Sequence, residues 1–213
     1  LCFTFRYFLS IIILRLFLSI YLLLYFLCFS ESNKLVLKLV FIILILFELY
    51  IRLRNKIGLS ASENLIIFSL ITYFFIELSA NIIFIHYLSF YTVLTYMLTG
   101  YNKVISQKWR NGIGLTNLMS TENYGNQKLY EFFKKNNIIA RCLSWGIIFF
   151  QLTFFMGFLD NRLMFLFICI AFIFHLSIAL IMNLYNFLLI YLSVFPILYY
   201  SSIEFRCLLI SSI

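Results

Sequence analysis

Seven long apolar runs, separated by short polar gaps, constrain the fold of this 213-residue chain more than any other feature. A helix of about 20 apolar residues is long enough to cross the hydrocarbon core of a bilayer. Because a segment within lipid must satisfy its own backbone hydrogen bonds, such runs favour helices. The pattern predicts an all-α fold, a polytopic transmembrane helix bundle with six or seven spans. The runs fall at residues 7–29, 35–51, 63–84, 86–103, 139–158, 164–182 and 186–203.

The composition supports a membrane protein and excludes a water-soluble globule. Hydrophobic residues make up 64% of the chain and charged residues only 11%, which is too few to coat a globule in water. The first run contains Arg15, is longer than a signal-peptide core and lacks a small-residue cleavage site, so we expect a retained span. We expect a single transmembrane domain over residues 1–213, located in the cell membrane.

The net charge of +8 comes from basic residues in the gaps between the apolar runs and not from one exposed polar face. This distribution is typical of the positive-inside pattern, so we expect a lipid bilayer, and no nucleic acid, as the partner. The amino terminus and the gaps at 52–62 and 105–138 hold most of the Lys and Arg. We therefore expect these parts to lie on the cytoplasmic side.

The sequence contains no motif of a soluble enzyme. A glycine-rich phosphate loop, a His-Glu-x-x-His zinc helix and a catalytic serine elbow are all missing. The five cysteines include no Cys-x-x-Cys pair, so we expect neither a metal site nor a disulfide framework. Candidate chemistry therefore has to come from polar residues inside the spans.

Four charged or titratable residues in or beside the runs have structural as well as functional interpretations. Arg15 either extends toward the interface or points into the bundle, because a charge in the middle of a membrane is costly. Glu48 is close to the basic cluster at 52–56, which favours a local ion pair or an interface carboxylate. Glu77 is a candidate functional acid, and His86 is either an interfacial residue or a proton carrier.

Lys103 lies where the fourth apolar run leaves the hydrocarbon. A lysine in that position is usually an anchor that extends toward the headgroups. The alternative is a buried amine, since burial disfavours the ammonium ion and the neutral form can accept a proton. Gly100, one turn earlier, would let a ligand or a neighbouring helix approach the backbone closely.

His175 lies near the middle of the sixth run, where no water is available to its imidazole. It must hydrogen-bond to another helix, a cofactor or a substrate, and structural and functional roles stay equally open. Among Gln151, Thr153 and Ser177, we expect Gln151 to be its partner because an amide can both donate and accept. We also expect Lys103 and His175 to face one buried pocket.

Residues 106–138 form the only long hydrophilic segment. The pattern predicts a short amphipathic helix over 127–135, which either lies on an anionic lipid surface or is solvated. Trp109 lies near the start of this segment and is followed by a glycine-spaced turn at Gly112 and Gly114.

Two groups of residues carry a resemblance to a known family. The run Leu-Thr-Tyr-Met-Leu-Thr-Gly-Tyr-Asn-Lys contains Tyr96 and Gly100, ends at Lys103 and is followed by Trp109 and Gly112. This order resembles the Tyr, Gly, Lys, then Trp and Gly pattern of the horizontally transferred transmembrane (HTTM) family. That family is similar to the membrane part of vitamin K-dependent gamma-carboxylase.

The second group is Phe174 and His175, followed by Asn183, Phe187 and Pro196, and it resembles the family's Phe-His segment. Both groups occur in the family's order, and the resemblance covers roughly residues 90–200. In size the chain is similar to small bacterial relatives such as the sporulation-delaying protein B family. Those proteins are linked to production of a secreted antimicrobial peptide.

The resemblance implies a specific chemistry. In the carboxylase, a lysine at the position matched by Lys103 is held to deprotonate reduced vitamin K. Lys103 is therefore the implied base and a reduced quinone the implied cofactor. His175 matches a family histidine, which implies that it orients or stabilises an anionic intermediate. The other pocket residues that we expect are Tyr96, Gly100, Gln151 and Trp109, and the resemblance implies that Trp109 and Gly112 shape the loop without a chemical task.

The implied function is maturation or modification of a small secreted, antimicrobial-type peptide by carboxylase-like chemistry. The alternative is a non-catalytic membrane protein that protects the cell from a toxic peptide or escorts that peptide. The family often has an acid at the position of Gln151, so this chain departs from the pattern there.

Overall fold

The computed structural model describes residues 5–28, 34–54 and 61–211, and these ranges are helices joined by short turns. No β-strand occurs within them. The chain divides into two compact units, Leu1–Phe84 and Ile85–Ile213, and each is considered by itself. The assignment of residues 1–213 to one domain stays a prediction.

The described part of the first unit contains three helices, one in each of the first three apolar runs. Tyr25 of the first helix packs against Leu37 and Phe41 of the second, and all three side chains are buried. Phe74 of the third helix packs against the same cluster. The helices are α1 (Phe5–Cys28), α2 (Lys34–Arg54) and α3 (Ala61–Ser79).

An ion pair joins α1 to α2. Nη2 of Arg15 lies 2.5 Å from Oε1 of Glu48, and the Glu48 side chain is buried. Since an unpaired charge inside a membrane span is costly, each group compensates the other. Of the two alternatives for Arg15, the structure supports the one in which it points at a neighbouring helix. The sequence favoured a partner for Glu48 in the cluster Arg52, Arg54 and Lys56, whereas the ion pair that the structure shows is with a residue of another helix. The Arg54 side chain and Lys56 lie outside the described residues.

The boundary between the third and fourth helices differs from the prediction. The sequence places the third run at 63–84, whereas α3 ends at Ser79 and the next helix starts at Ile83. Ala80 has a positive φ of 53°, which ends α3, and Oδ1 of Asn81 accepts a hydrogen bond from the Ile83 backbone N–H at 2.9 Å. This hydrogen bond at the start of the next helix lies within a run that is apolar almost throughout. A hydropathy profile therefore does not show that one helix ends and another begins there.

The remaining helices belong to the second unit, apart from the first residues of α4. The amphipathic helix predicted over 127–135 has those bounds in the structure. The last helix passes through Pro196 without interruption and extends beyond the predicted end at residue 203. The helices are α4 (Ile83–Ile105), α5 (Gln107–Arg110), α6 (Ile113–Met119), α7 (Gln127–Lys135), α8 (Asn137–Thr153), a 3₁₀ segment (Phe154–Leu159), α9 (Asn161–Met182) and α10 (Tyr185–Ser211).

Five helical stretches in the described ranges are long and apolar enough to cross a membrane. A shorter apolar stretch, Ile12–Tyr25, lies in α1. The helix α2 also has the length of a span, although it carries Lys38, Glu48 and Arg52. The chain is therefore an all-α, multi-pass membrane protein with six or seven spans. The five stretches are Ser62–Ser79, Ile83–Ile105, Asn137–Leu159, Asn161–Met182 and Tyr185–Leu208.

Residues 107–135 form what we call the cap of the second unit. Leu115 and Met119 of α6 and Phe133 of α7 are buried against Ala140 of α8 and Met182 of α9. Because α8 begins and α9 ends beside this cluster, the cap covers one end of the helices.

A glycine permits the close fit of the cap. Gly112 has a φ of +80°, and a Cβ there would lie 2.6 Å from the backbone N of Arg141. Only glycine combines this left-handed conformation with so close an approach.

Candidate functional site

The Lys103 side chain turns into the helices instead of toward the membrane surface. Its Nζ donates hydrogen bonds to Oε1 of Gln151 at 3.0 Å and to the carbonyl oxygen of Thr99 at 3.4 Å. Thr99 is one turn deeper in α4 than Lys103, so the amine points away from the near end of its own helix. An anchoring lysine extends in the opposite direction, toward the headgroups. The structure therefore supports the interior alternative for Lys103.

Gly100 explains why Lys103 can reach α8. A Cβ at Gly100 would lie 3.0 Å from Cβ of Gln151 and 3.1 Å from the backbone N of Leu152. The missing side chain thus lets α4 and α8 approach closely, as small residues do at helix contacts in membranes. The same approach places Gln151 within hydrogen-bond distance of the amine one turn farther along α4.

Trp109 covers the amine from the side of the cap. Nζ of Lys103 lies 5.0 Å from the centroid of the Trp109 ring, within the range of a cation–π contact. The ring rests on Gly114, where a Cβ would lie only 2.9 Å from the ring. Nε1 of Trp145 in α8 donates a hydrogen bond to the carbonyl oxygen of Arg110 at 3.2 Å, which fixes α5 against α8. The resemblance implied that Trp109 shapes the loop after α4, and the structure also shows its contact with Lys103.

His175 forms its hydrogen bond with a tyrosine of α4. Its Nε2 lies 2.7 Å from the hydroxyl oxygen of Tyr96, and both side chains are buried. The imidazole stacks on Tyr191 of α10 with ring centroids 3.8 Å apart. Tyr96 in turn stacks on Phe154 at 4.2 Å. The ring of His175 is therefore held by one hydrogen bond to α4 and by aromatic packing against α10.

The expected partner of His175 was wrong. Oε1 of Gln151 accepts from Lys103, and the Tyr96 hydroxyl takes the position beside His175. Thr153 donates to the carbonyl oxygen four residues earlier in its helix, and so does Ser177. Hydroxyl side chains in helices commonly donate to a backbone carbonyl oxygen of their own helix, so this donor is no longer free to bind a neighbouring helix.

One nitrogen of the imidazole has no hydrogen-bond partner among the described residues. Nδ1 of His175 is buried and unpaired, and so is the hydroxyl oxygen of Ser144 in α8. A buried polar atom left unpaired costs about 1–3 kcal/mol. Nδ1 is therefore an atom at which a bound molecule could gain a hydrogen bond.

All six predicted site residues lie in one neighbourhood of the second unit. Tyr96, Gly100 and Lys103 are spaced so that they share a face of α4, over an axial distance of about 10 Å. Gln151 meets this face beside Gly100, His175 meets it at Tyr96, and Trp109 covers its end. The hydrogen bonds form two separate pairs. The prediction that one pocket contains both Lys103 and His175 stays a prediction.

Two contacts of the site could not be identified from the sequence. Tyr191 stacks on His175, but a tyrosine in a chain with 15 tyrosines and 27 phenylalanines gives no distinct signal. The Thr99 carbonyl oxygen is a backbone group, and no residue pattern indicates that a lysine will bind it.

His86 precedes Lys103 by 17 residues on the same helix and has hydrogen-bond partners of its own. His86 Nδ1 is 3.2 Å from the Ser201 hydroxyl oxygen, which is itself 2.7 Å from that of Ser89. This network links α4 to α10, and it leaves both alternatives for His86 open. Glu77 is half-buried near the end of α3 in the first unit. Within the described ranges, no group of three or more His, Cys, Asp or Glu residues could hold a metal ion.

Comparison with known proteins identifies no relative: no family model, no curated protein and no solved structure matches this chain.

Proposed function

We propose that this protein is an HTTM-type protein of the cell membrane, in which Lys103 acts as a general base in the modification of a small secreted peptide. The observation that carries the proposal is the inward direction of the Lys103 side chain. Its amine is held by Gln151 and Thr99 and covered by Trp109. A residue that served only as an anchor would gain nothing from this arrangement.

The partners of the amine suit a proton acceptor. A carboxylate beside Lys103 would hold it as an ammonium ion through a charge-assisted hydrogen bond. Gln151 and Thr99 instead offer neutral oxygens, and neither can itself take the proton. The amine therefore remains able to exchange its proton with a bound acidic group.

His175 would orient the ligand. The Tyr96 hydroxyl fixes the direction of the imidazole through Nε2, and stacking on Tyr191 fixes its plane. Nδ1 then presents one hydrogen-bonding atom in an aromatic environment. An aromatic ring with hydroxyl groups, such as a reduced quinone, fits these surroundings in polarity. When bound, such a quinol would supply, after proton loss and reaction with dioxygen, a base strong enough to remove a proton from a carbon atom.

The first test is ligand binding by the full chain in lipid nanodiscs. Menadiol, a reduced naphthoquinone, serves as the probe, and quenching of tryptophan fluorescence reports its binding. We expect saturable quenching for the wild type and at least tenfold weaker binding for Lys103→Met, with a circular-dichroism spectrum that shows the same helix content. Lys108→Met is the matched control, since Lys108 is an exposed lysine of the cap. Equal binding by all three proteins would remove Lys103 from the proposed site.

The second test concerns the product. Secreted peptides from cells that carry the wild type or Lys103→Met are compared by mass spectrometry. We expect the wild type alone to yield a peptide heavier by carbon dioxide at a glutamate. Binding of an unmodified peptide that survives loss of both Lys103 and His175 would instead support the non-catalytic immunity or escort protein.

A further inference from the structure

The exposed side of α7 carries a phenylalanine between two lysines. Lys128, Phe132 and Lys135 are spaced by four and three residues, so they share an arc of about 60° on the helix. All three side chains are exposed, although Phe132 is large and apolar. Phe133 and Leu129 point the other way and pack into the cap. The helix therefore has a second, mixed apolar and basic face that its own fold does not cover.

The position of α7 brings this helix close to the surface of a membrane. Only Asn136 separates the end of α7 from Asn137, the first residue of a stretch long enough to span. The Asn136 side chain and backbone N–H both donate to the Phe132 carbonyl oxygen, which keeps the connection tight. Ile138, the next apolar residue, is 80% exposed. Because a spanning helix starts at the headgroups, α7 lies at their level.

The charge around α7 complements an anionic surface. Residues 106–141 contain six Lys and Arg but only two Glu. At the opposite end of α8, the turn before α9 contains Asp160, which lies 3.4 Å from Arg206. The basic excess is therefore on the side of the cap, and the cytoplasmic leaflet, where such excess is found, carries the anionic lipids.

We propose that the arc formed by Lys128, Phe132 and Lys135 binds the headgroups of anionic phospholipids. The two ammonium groups contact lipid phosphates, while Phe132 and Ile138 enter the boundary between headgroups and acyl chains. An exposed aromatic side chain between two cations, one turn from the start of a span, suits a lipid surface better than an acidic soluble protein. The proposal is independent of any chemistry at Lys103.

The test measures hydrogen exchange of the α7 amides in the full chain. The protein is placed in nanodiscs of phosphatidylcholine alone or of phosphatidylcholine mixed with phosphatidylglycerol. Each lysine near an anionic surface changes the local lipid partition about fivefold. With two lysines in the arc, we expect α7 to exchange about 25-fold more slowly in the anionic discs and the difference to shrink at high salt. Equal exchange in the two kinds of disc overturns the proposal.

Two neighbouring lysines provide a matched pair of variants. Lys135→Gln removes a charge from the arc, and Lys134→Gln removes one from the same helix outside the arc. Lys134 lies instead near Tyr130, with its Nζ 5.7 Å from the ring centroid. The anionic discs slow the exchange of the α7 amides relative to the neutral discs. We expect Lys135→Gln to reduce this slowing about fivefold and Lys134→Gln to leave most of it. If both variants reduced this slowing equally, the total charge of the helix and not the position of the lysines would explain the effect. That result would overturn the assignment.

The apolar part of the arc has its own readout. Phe132→Ser should speed exchange of α7 in both kinds of disc, since Phe132 contacts acyl chains whatever the headgroup. Unchanged exchange in both discs would remove Phe132 from the lipid surface. Because the side chain is exposed, the cap core should remain folded, which the exchange of α6 amides checks.

Discussion

The hydrogen bond between Tyr96 and His175 provides the sharpest test of the packing. Tyr96→Phe removes only the hydroxyl oxygen, 2.7 Å from Nε2 of His175, and keeps the ring that stacks on Phe154. The imidazole then has no partner for either nitrogen among the described residues, since Nδ1 is already unpaired. Leaving a buried polar atom unpaired costs about 1–3 kcal/mol, whereas hydrogen bonds between membrane helices contribute about 0.6 kcal/mol on average. We expect a loss of about 1–2 kcal/mol in the free energy of unfolding.

The assay is reversible unfolding in mixed micelles, arranged as a double-mutant cycle. The cycle uses Tyr96→Phe, His175→Leu and the double variant, and we expect a coupling energy of about 1 kcal/mol. Tyr101→Phe is the matched control, because Tyr101 lies on the same helix and is exposed. Additive effects of Tyr96→Phe and His175→Leu, within about 0.3 kcal/mol, would refute the contact.

Three further predictions follow from the glycines, the amide and the indole of the second unit. Gly112→Ala should lower the free energy of unfolding by about 1–3 kcal/mol because Gly112 has a positive φ. Gly146→Ala should raise it by about 0.5–1 kcal/mol in the same assay, since a Cβ there would meet nothing within 4 Å. An equal loss from both variants would contradict the contacts of Gly112. Gln151→Leu should remove the 3.0 Å hydrogen bond from the Lys103 amine and lower the free energy of unfolding by about 1–3 kcal/mol, and an unchanged free energy would contradict that hydrogen bond. Trp109→Leu should expose the Lys103 amine and raise its labelling by a water-soluble amine reagent, which mass spectrometry of the proteolytic fragment that contains Lys103 measures. Unchanged labelling would show that the ring of Trp109 does not cover the amine.

Much of the fold follows from local patterns in the sequence. Apolar runs of span length predicted the helices, and the spacing of charged and aromatic residues predicted α7 with its observed bounds. The end of α3 was placed wrongly because the hydrogen bond from Ile83 to the Asn81 side chain, which starts the next helix, lies inside an apolar run. The sequence also singled out Lys103 and His175, since polar groups inside spans are few and need partners.

The sequence alone determined that this chain is helical and crosses a membrane, because helix period, hydropathy and span length are properties of consecutive residues. Only the tertiary structure decided the direction of Lys103 and the partner of His175. Lys103 is 48 residues from Gln151 in the chain, and Tyr96 is 79 residues from His175. Pairing at such distances depends on how closely two helices approach, and for α4 and α8 that approach is set by the missing side chain of Gly100. The sequence shows which groups need a partner, and the packing of the helices decides which partner each one finds.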